Sequence, residues 1–160
     1  MGLGALVLLA VVALVVYRAL SNGVPAACTD SGQMEFFAKS PEPSAMVAQG
    51  ERCLKAIRGP GDDRALLLGS AVRYFRSAGE AGFPEGALRL GELYDPGELT
   101  PDRVRQQPAD FRIAFTQYLR ARTLGSEAAV GRLRAMRNYI EQKAREGDDD
   151  ALGILDRWPQ

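Results

Sequence analysis

Apolar positions recur at spacings of three and four through most of this chain, the signature of helices that bury one face. The clearest stretch is 71–97, AVRYFRSAGEAGFPEGALRLGELYDPG. Ala71, Phe75, Ala78 and Gly82 share one face of a predicted helix, and Gly82 is placed to close that helix in the left-handed conformation. Pro84 suits the first turn of a second helix, whose inward face carries Ala87, Leu90, Gly91 and Tyr94. The small residues let two antiparallel helices approach closely, while Tyr74, Phe75, Leu90 and Tyr94 fill the space that remains.

The pattern repeats. A shift of 43 residues carries Ala71 onto Ala114, Phe75 onto Tyr118, Ala78 onto Ala121, Gly82 onto Gly125 and Leu90 onto Leu133. Ala87 falls on Val130, Leu90-Gly91 becomes Leu133-Arg134 and Tyr94 becomes Arg137, so the second unit departs from the first at its end. The stretch from Glu127 to Glu146 then runs on as one helix until Gly147. Asp148, Asp149 and Asp150 lack the alternating ligands of a calcium loop and read instead as the favourably charged start of a last helix, with Trp158-Pro159 as a cap on the final apolar face. Upstream, Ser44 is the expected N-cap of a helix over 45–57 that carries Ala48, Gly50 and Cys53, the second half of a degenerate repeat, which Gly59-Pro60-Gly61 ends. Asp62 and Asp63 open the next helix.

The order Ala71, Tyr74-Phe75, Ala78, Gly82, Ala87, Leu90-Gly91, Tyr94 resembles the Sel1-like repeat, a helix-turn-helix unit of the tetratricopeptide-like class. The match covers about one repeat well. The resemblance implies a right-handed α-solenoid of helical hairpins whose concave face binds other proteins.

Residues 2–20 are dominated by Leu, Val and Ala, with Arg18 the one charge. As a helix of about 1.5 Å rise per residue, some 18 residues reach roughly 27 Å, close to a hydrocarbon core of about 30 Å. The expectation is a single-pass transmembrane anchor. A cleaved signal peptide is the alternative, with Val24-Pro25-Ala26 before Ala27 as a cleavage position, but the stretch lacks a basic start and is long for a signal. Residues 21–43, rich in Ser, Pro, Gly and Asn, read as linker and lead-in, with the apolar island 34–38 as a strap on the first helix. Residues 44–160 form the repeat domain, of five or six helices. Cys28 and Cys53 are the only cysteines, and an even count in an exported segment predicts one disulfide, hence a periplasmic or otherwise extracytoplasmic domain. Arg18 after the apolar run pulls mildly the other way.

Composition narrows the chemistry. The 160 residues carry 20 basic and 20 acidic side chains and no His, which gives no support to a nucleic-acid partner and removes the commonest general base and metal ligand. No constellation of catalytic, cofactor-binding or metal-ligating residues emerges. The expected function is a membrane-anchored protein–protein interaction module, an adaptor or scaffold for an envelope protein or complex. Arg103, Arg105, Arg112, Arg120 and Arg122 are candidates for polar contacts to that partner. The alternative is an accessory subunit or assembly factor that meets a larger membrane complex through the transmembrane helix itself, with Gly2 and Gly4 allowing close helix contact.

Overall fold

The computed structural model describes residues 23–58, 61–97 and 109–158. Among these it shows a 3₁₀ turn, Ala26–Cys28, then seven α-helices and no strand. They are α1 Asp30–Ala38, α2 Pro43–Ala56, α3 Asp62–Glu80, α4 Pro84–Tyr94, α5 Phe111–Thr123, α6 Glu127–Arg145 and α7 Asp149–Asp156. The chain is all-α. No described helix is long and apolar enough to cross a membrane, and the span expected at 2–20 lies outside the described residues.

The 43-residue recurrence is visible in the helix ends. α3 stops at Glu80 and α5 at Thr123; α4 begins at Pro84 and α6 at Glu127. Gly82 (φ 84°) and Gly125 (φ 96°) each turn left-handed after the helix, as does Gly147 (φ 87°). The next N–H then reaches five residues back, from Phe83 to the Ala78 carbonyl at 3.0 Å and from Ser126 to that of Ala121 at 2.9 Å. Both turns are Schellman closures, in which a left-handed residue lets orphan carbonyls find donors.

Two stretches differ from expectation. α2 begins at Pro43 with Glu42 in the N-cap position, two residues earlier than an N-cap at Ser44, because proline suits the first helical position, where an N–H is not needed. The lead-in at 21–43 is largely helical from residue 26 onward. Thr29 caps α1 by accepting from the Gly32 N–H, and Phe36 and Phe37 lie against the Tyr74 ring with centroids 5.2 and 5.3 Å away. Of the apolar island, Phe36 and Phe37 thus form the inner face of a helix that packs on Tyr74 of α3, while Met34 and Ala38 are exposed.

From α2 onward each helix packs on its neighbour in sequence, α1 packs on the 3₁₀ turn, and α2 touches α4 and α5 touches α7. Two buried clusters result. The first gathers Cys28, Cys53, Leu67, Leu68, Ala71, Val72, Tyr74, Phe75, Leu90 and Leu93; the second holds Ala87, Leu88, Ala114, Phe115, Tyr118, Ala121, Leu133 and the apolar face of α7. α4 supplies both, and Tyr94 lies against both. Close approach depends on glycine. A methyl group on Gly50 would sit 2.5 Å from the Phe75 ring, and one on Gly91 would sit 2.6 Å from the Tyr118 ring. At Gly86 it would meet the Gly79 backbone nitrogen at 2.5 Å and the Ala78 methyl at 2.6 Å.

The 3₁₀ turn is bound at several points. Cys28 and Cys53 form a disulfide with Cα atoms 5.8 Å apart, both side chains fully buried. The Tyr74 hydroxyl donates to the Ala27 carbonyl at 2.6 Å, Ser70 donates to that of Cys28 at 2.6 Å, and the Gln33 amide donates to Ser70 Oγ at 2.8 Å. Burial raises the Tyr74 pKa, keeping this hydroxyl a donor. On the other side of the molecule Arg89 lies 3.2 Å from Glu51 and 2.9 Å from Glu92, while Arg132 lies 2.8 Å from Glu92, so α2, α4 and α6 are joined by one ionic chain.

Two stability predictions follow from this packing. The disulfide closes a span of 25 residues, worth on the order of 3 kcal/mol in the chain-entropy account. Urea unfolding of the full chain in detergent micelles, followed by far-UV circular dichroism, is expected to show that loss on reduction, and the Cys53→Ser variant is expected to be insensitive to reductant. For the glycines, Gly86→Ala is expected to destabilise by about 1–3 kcal/mol through overpacking. Gly131→Ala, where an added methyl meets nothing within 4 Å on exposed α6, is expected to stabilise by about 0.5–1 kcal/mol through helix propensity. Equal signs for the two alanines would contradict the packing described.

Candidate protein-binding surface

The residues singled out by the repeat pattern are mostly spacers and core. Ala71, Phe75, Ala78, Ala87, Ala114, Tyr118 and Ala121 are fully buried, and Leu90 and Leu133 nearly so. Gly82 and Gly125 form exposed turns, and Tyr94 is half-buried between the two cores. These side chains hold helices together and leave little of themselves to a partner. Val130, the counterpart of Ala87, is half-buried, and Ala129 beside it is the residue that goes fully inside.

What they position is a groove between α5 and α7. Arg112 at the start of α5 pairs with Asp150 at the start of α7 at 3.0 Å, and Phe115 lies against Trp158, just past α7, with ring centroids 5.1 Å apart. The two helices therefore lie against one another. Between them is a groove of about 230 Å³ lined by Arg112, Phe115, Thr116, Leu119, Asp150, Ile154 and Arg157. Its base is apolar, from Phe115, Leu119 and Ile154, and its rim is polar. Arg137 sits over the Trp158 ring at 5.6 Å and backs it from α6. A volume of this size is smaller than the roughly 300–1,000 Å³ of small-molecule sites and matches one or two side chains of another chain.

The rim has a definite electrostatic layout. Asp110 is the N-cap of α5 and accepts from the backbone N–H groups of Arg112 and Ile113 at 3.0 and 3.3 Å, and its second oxygen takes the Arg112 guanidinium at 3.0 Å. The Arg112 hydrogen bond holds the Asp110 carboxyl below the usual carboxylate range, against the opposite pull of partial burial. Arg112 is thereby neutralised from both sides, by Asp110 and Asp150. Arg120 and Arg122, in the last turn of α5, are exposed and have no ion pair among the described residues; their charge suits the negative end of the helix. Arg103 and Arg105 lie outside the described residues.

The acidic triplet near the end has a structural role. Asp148 caps α7 by accepting from the Ala151 N–H at 3.0 Å, and Asp150 pairs with Arg112. Among the described residues no group of three or more His, Cys, Asp or Glu is placed to hold a metal ion. A buried polar contact ties α5 to the end of α4. Tyr118 donates to Asp95 Oδ2 at 2.8 Å, and Asp95 Oδ1 accepts from the Gly97 N–H at 2.8 Å. Burial, then the adjacent Asp95 carboxylate, push the Tyr118 pKa strongly up, so the phenol stays a donor. With the Asp110 N–H donating to the Tyr94 carbonyl at 3.0 Å, both ends of the connection between α4 and α5 are fixed.

Sequence periodicity alone carries the α5 side of this surface, since 112, 115, 116 and 119 share a face. It carries no signal for Ile154 or Arg157, which join the groove only because α7 packs against α5. A pH consequence follows for Asp110. Its folded pKa is depressed, so its contribution to stability is present above about pH 4, the unfolded value, and is lost as pH falls through the lower folded one. In Arg112→Ala, NMR titration is expected to move the Asp110 midpoint up toward the ordinary range and to flatten the acid limb of the stability curve; an unmoved midpoint would place the cause in the backbone N–H groups alone.

The chain matches no protein-family model, no curated protein and no solved structure.

Proposed function

We propose that this chain is a non-enzymatic binding module: a single-pass, membrane-anchored protein whose helices form a short right-handed α-solenoid of the Sel1-like, tetratricopeptide-like class. In this reading it is an adaptor or scaffold for an envelope protein or membrane complex. The observation that carries the reading is the 43-residue register of helix ends and glycine closures, since units that repeat and contact mainly their neighbours are the way solenoids are built. The zigzag of neighbour and next-neighbour contacts supports the same architecture.

The groove supports binding over turnover. It is sized for side chains, it has an apolar floor and a polar rim, and interfaces of proteins take that form. The extracytoplasmic placement rests on the disulfide, because such bonds persist in oxidising compartments. The anchor rests on the apolar run at 2–20.

Site-specific photo-crosslinking in intact cells tests the reading. A photoreactive residue at Thr116, in the groove, is expected to give a discrete protein adduct, and one at Asn138, exposed on α6, is expected to give none. Adducts that form only from positions 3–16 would transfer the function to the membrane helix and support an assembly-factor role instead.

A further inference from the structure

We propose that the 3₁₀ turn Ala26–Cys28 is a clamp that sets a short stand-off between the membrane anchor and the helical domain, so that the domain meets a partner held at the same bilayer. This goes beyond the binding-module reading and rests on its anchor.

The turn has the composition of a linker but not its freedom. A linker leaves its backbone carbonyls to water, whereas here three in succession are taken. The Ala26 carbonyl accepts from the Thr29 N–H at 3.1 Å and from the Thr29 hydroxyl at 2.7 Å. That of Ala27 accepts from Tyr74 at 2.6 Å, and that of Cys28 from Ser70 at 2.6 Å. One residue earlier, the Pro25 carbonyl accepts from the Cys28 N–H at 2.7 Å. The disulfide joins the turn covalently to α2. A methyl group on Gly32 would overlap the Ala26 carbonyl oxygen, so the turn also lies directly on the first turn of α1. Val24 packs, half-buried, against the same cluster as Cys28 and Cys53. From Val24 onward the chain is therefore held to α1, α2 and α3 together.

This placement limits how far the domain can stand from the bilayer. Leu20 ends the apolar run and Val24 is the first residue packed on the core. The four Cα steps between them span at most about 14 Å, at roughly 3.6 Å each. The headgroup layer on one side of a bilayer takes up about 5–8 Å of that. What remains is less than the roughly 10–12 Å diameter of one helix. Had residues 21–42 been a flexible chain up to α2, their root-mean-square reach would be roughly 25 Å. A short stand-off confines the domain to the layer above the headgroups. A partner embedded in the same membrane meets it there at high effective concentration, and a longer tether dilutes that advantage.

Energy transfer in liposomes tests the clamp on the full chain. Arg73 is exposed on α3 and lies 3.5 Å from Asp30, beside the turn. Since both native cysteines are in the disulfide, Arg73→Cys supplies one thiol for a fluorophore, with acceptor dye on the lipid headgroups. Transfer is expected to be strong, and to fall about twofold or more when a flexible Gly-Ser insert of about ten residues separates Asn22 from Gly23. The same fall is expected when Cys28→Ser and Cys53→Ser release the turn, with unchanged circular dichroism showing that the repeats remain folded. Equal transfer in the intact and insertion chains would overturn the proposal whether or not the serine variant folds. In cells, the Thr116 crosslink is expected to drop severalfold in the insertion chain, and an equal yield would overturn the membrane-held partner. If the protein did not float with liposomes, or began at Ala27 by mass, the anchor itself would fall and the clamp with it, while the Thr116 adduct would still report on binding.

Discussion

Helix α4 is pressed between two cores, and the contact that makes this possible is an aromatic ring laid on a glycine. The Phe75 ring of α3 covers Gly50 of α2, and the Tyr118 ring of α5 covers Gly91 of α4. The two rings are 43 residues apart and the two glycines 41, so nearly the same lock is used twice. A side chain at either glycine would push the backbones apart, and interiors packed at crystal-like density do not absorb such a shift locally. Gly86 does the same against the backbone of α3. α4 can therefore be shared by two clusters while being only eleven residues long. The lock is missing where Arg134 stands in place of a glycine on α6 and is exposed. There α7 is held by other means, a ring contact between Phe115 and Trp158 and the capping of Asp148.

This explains which parts of the fold were legible in the residues. Glycine closures and proline starts are local, so the boundaries of α3, α4, α5 and α6 follow from Gly82, Pro84, Gly125 and the 43-residue shift. The helix α1 was hidden because its binary pattern is inverted. Gln33 is 1% exposed and Met34 is 68% exposed, the reverse of what hydrophobicity alone suggests. The inversion has a physical cause. The Gln33 amide satisfies itself on Ser70, whose hydroxyl also holds the Cys28 carbonyl, and that placement depends on a disulfide and a helix 37 residues away in sequence. No window of local sequence contains those partners. The cysteine pair was legible because its signal is a count, which needs no geometry.

The surface divides along similar lines. The ionic chain from Glu51 through Arg89 and Glu92 to Arg132 ties α2, α4 and α6 together. Glu92 is only 12% exposed, so removing its guanidinium partners would leave a largely buried carboxylate unpaired, a heavier loss than that of a surface pair worth about 0–1 kcal/mol. Desolvation lowers the Arg89 pKa and its three glutamates more than offset it, so the net direction is up. On that side of the molecule, charge is consumed internally by the fold.

On the α5–α7 side the accounting is different, and this is the physical basis for reading that side as the functional one. Arg112 is matched by two carboxylates, whereas Arg157, which also lines the apolar groove, has no ion pair among the described residues. Helix ends make isolated arginines tolerable at low cost, so stability alone does not require them to be paired. In the proposed binding reading, the recessed Phe115, Leu119 and Ile154 beside Arg157 are the anchor site of that surface. On the side bound by Glu51, Arg89, Glu92 and Arg132 the charges answer one another within the fold.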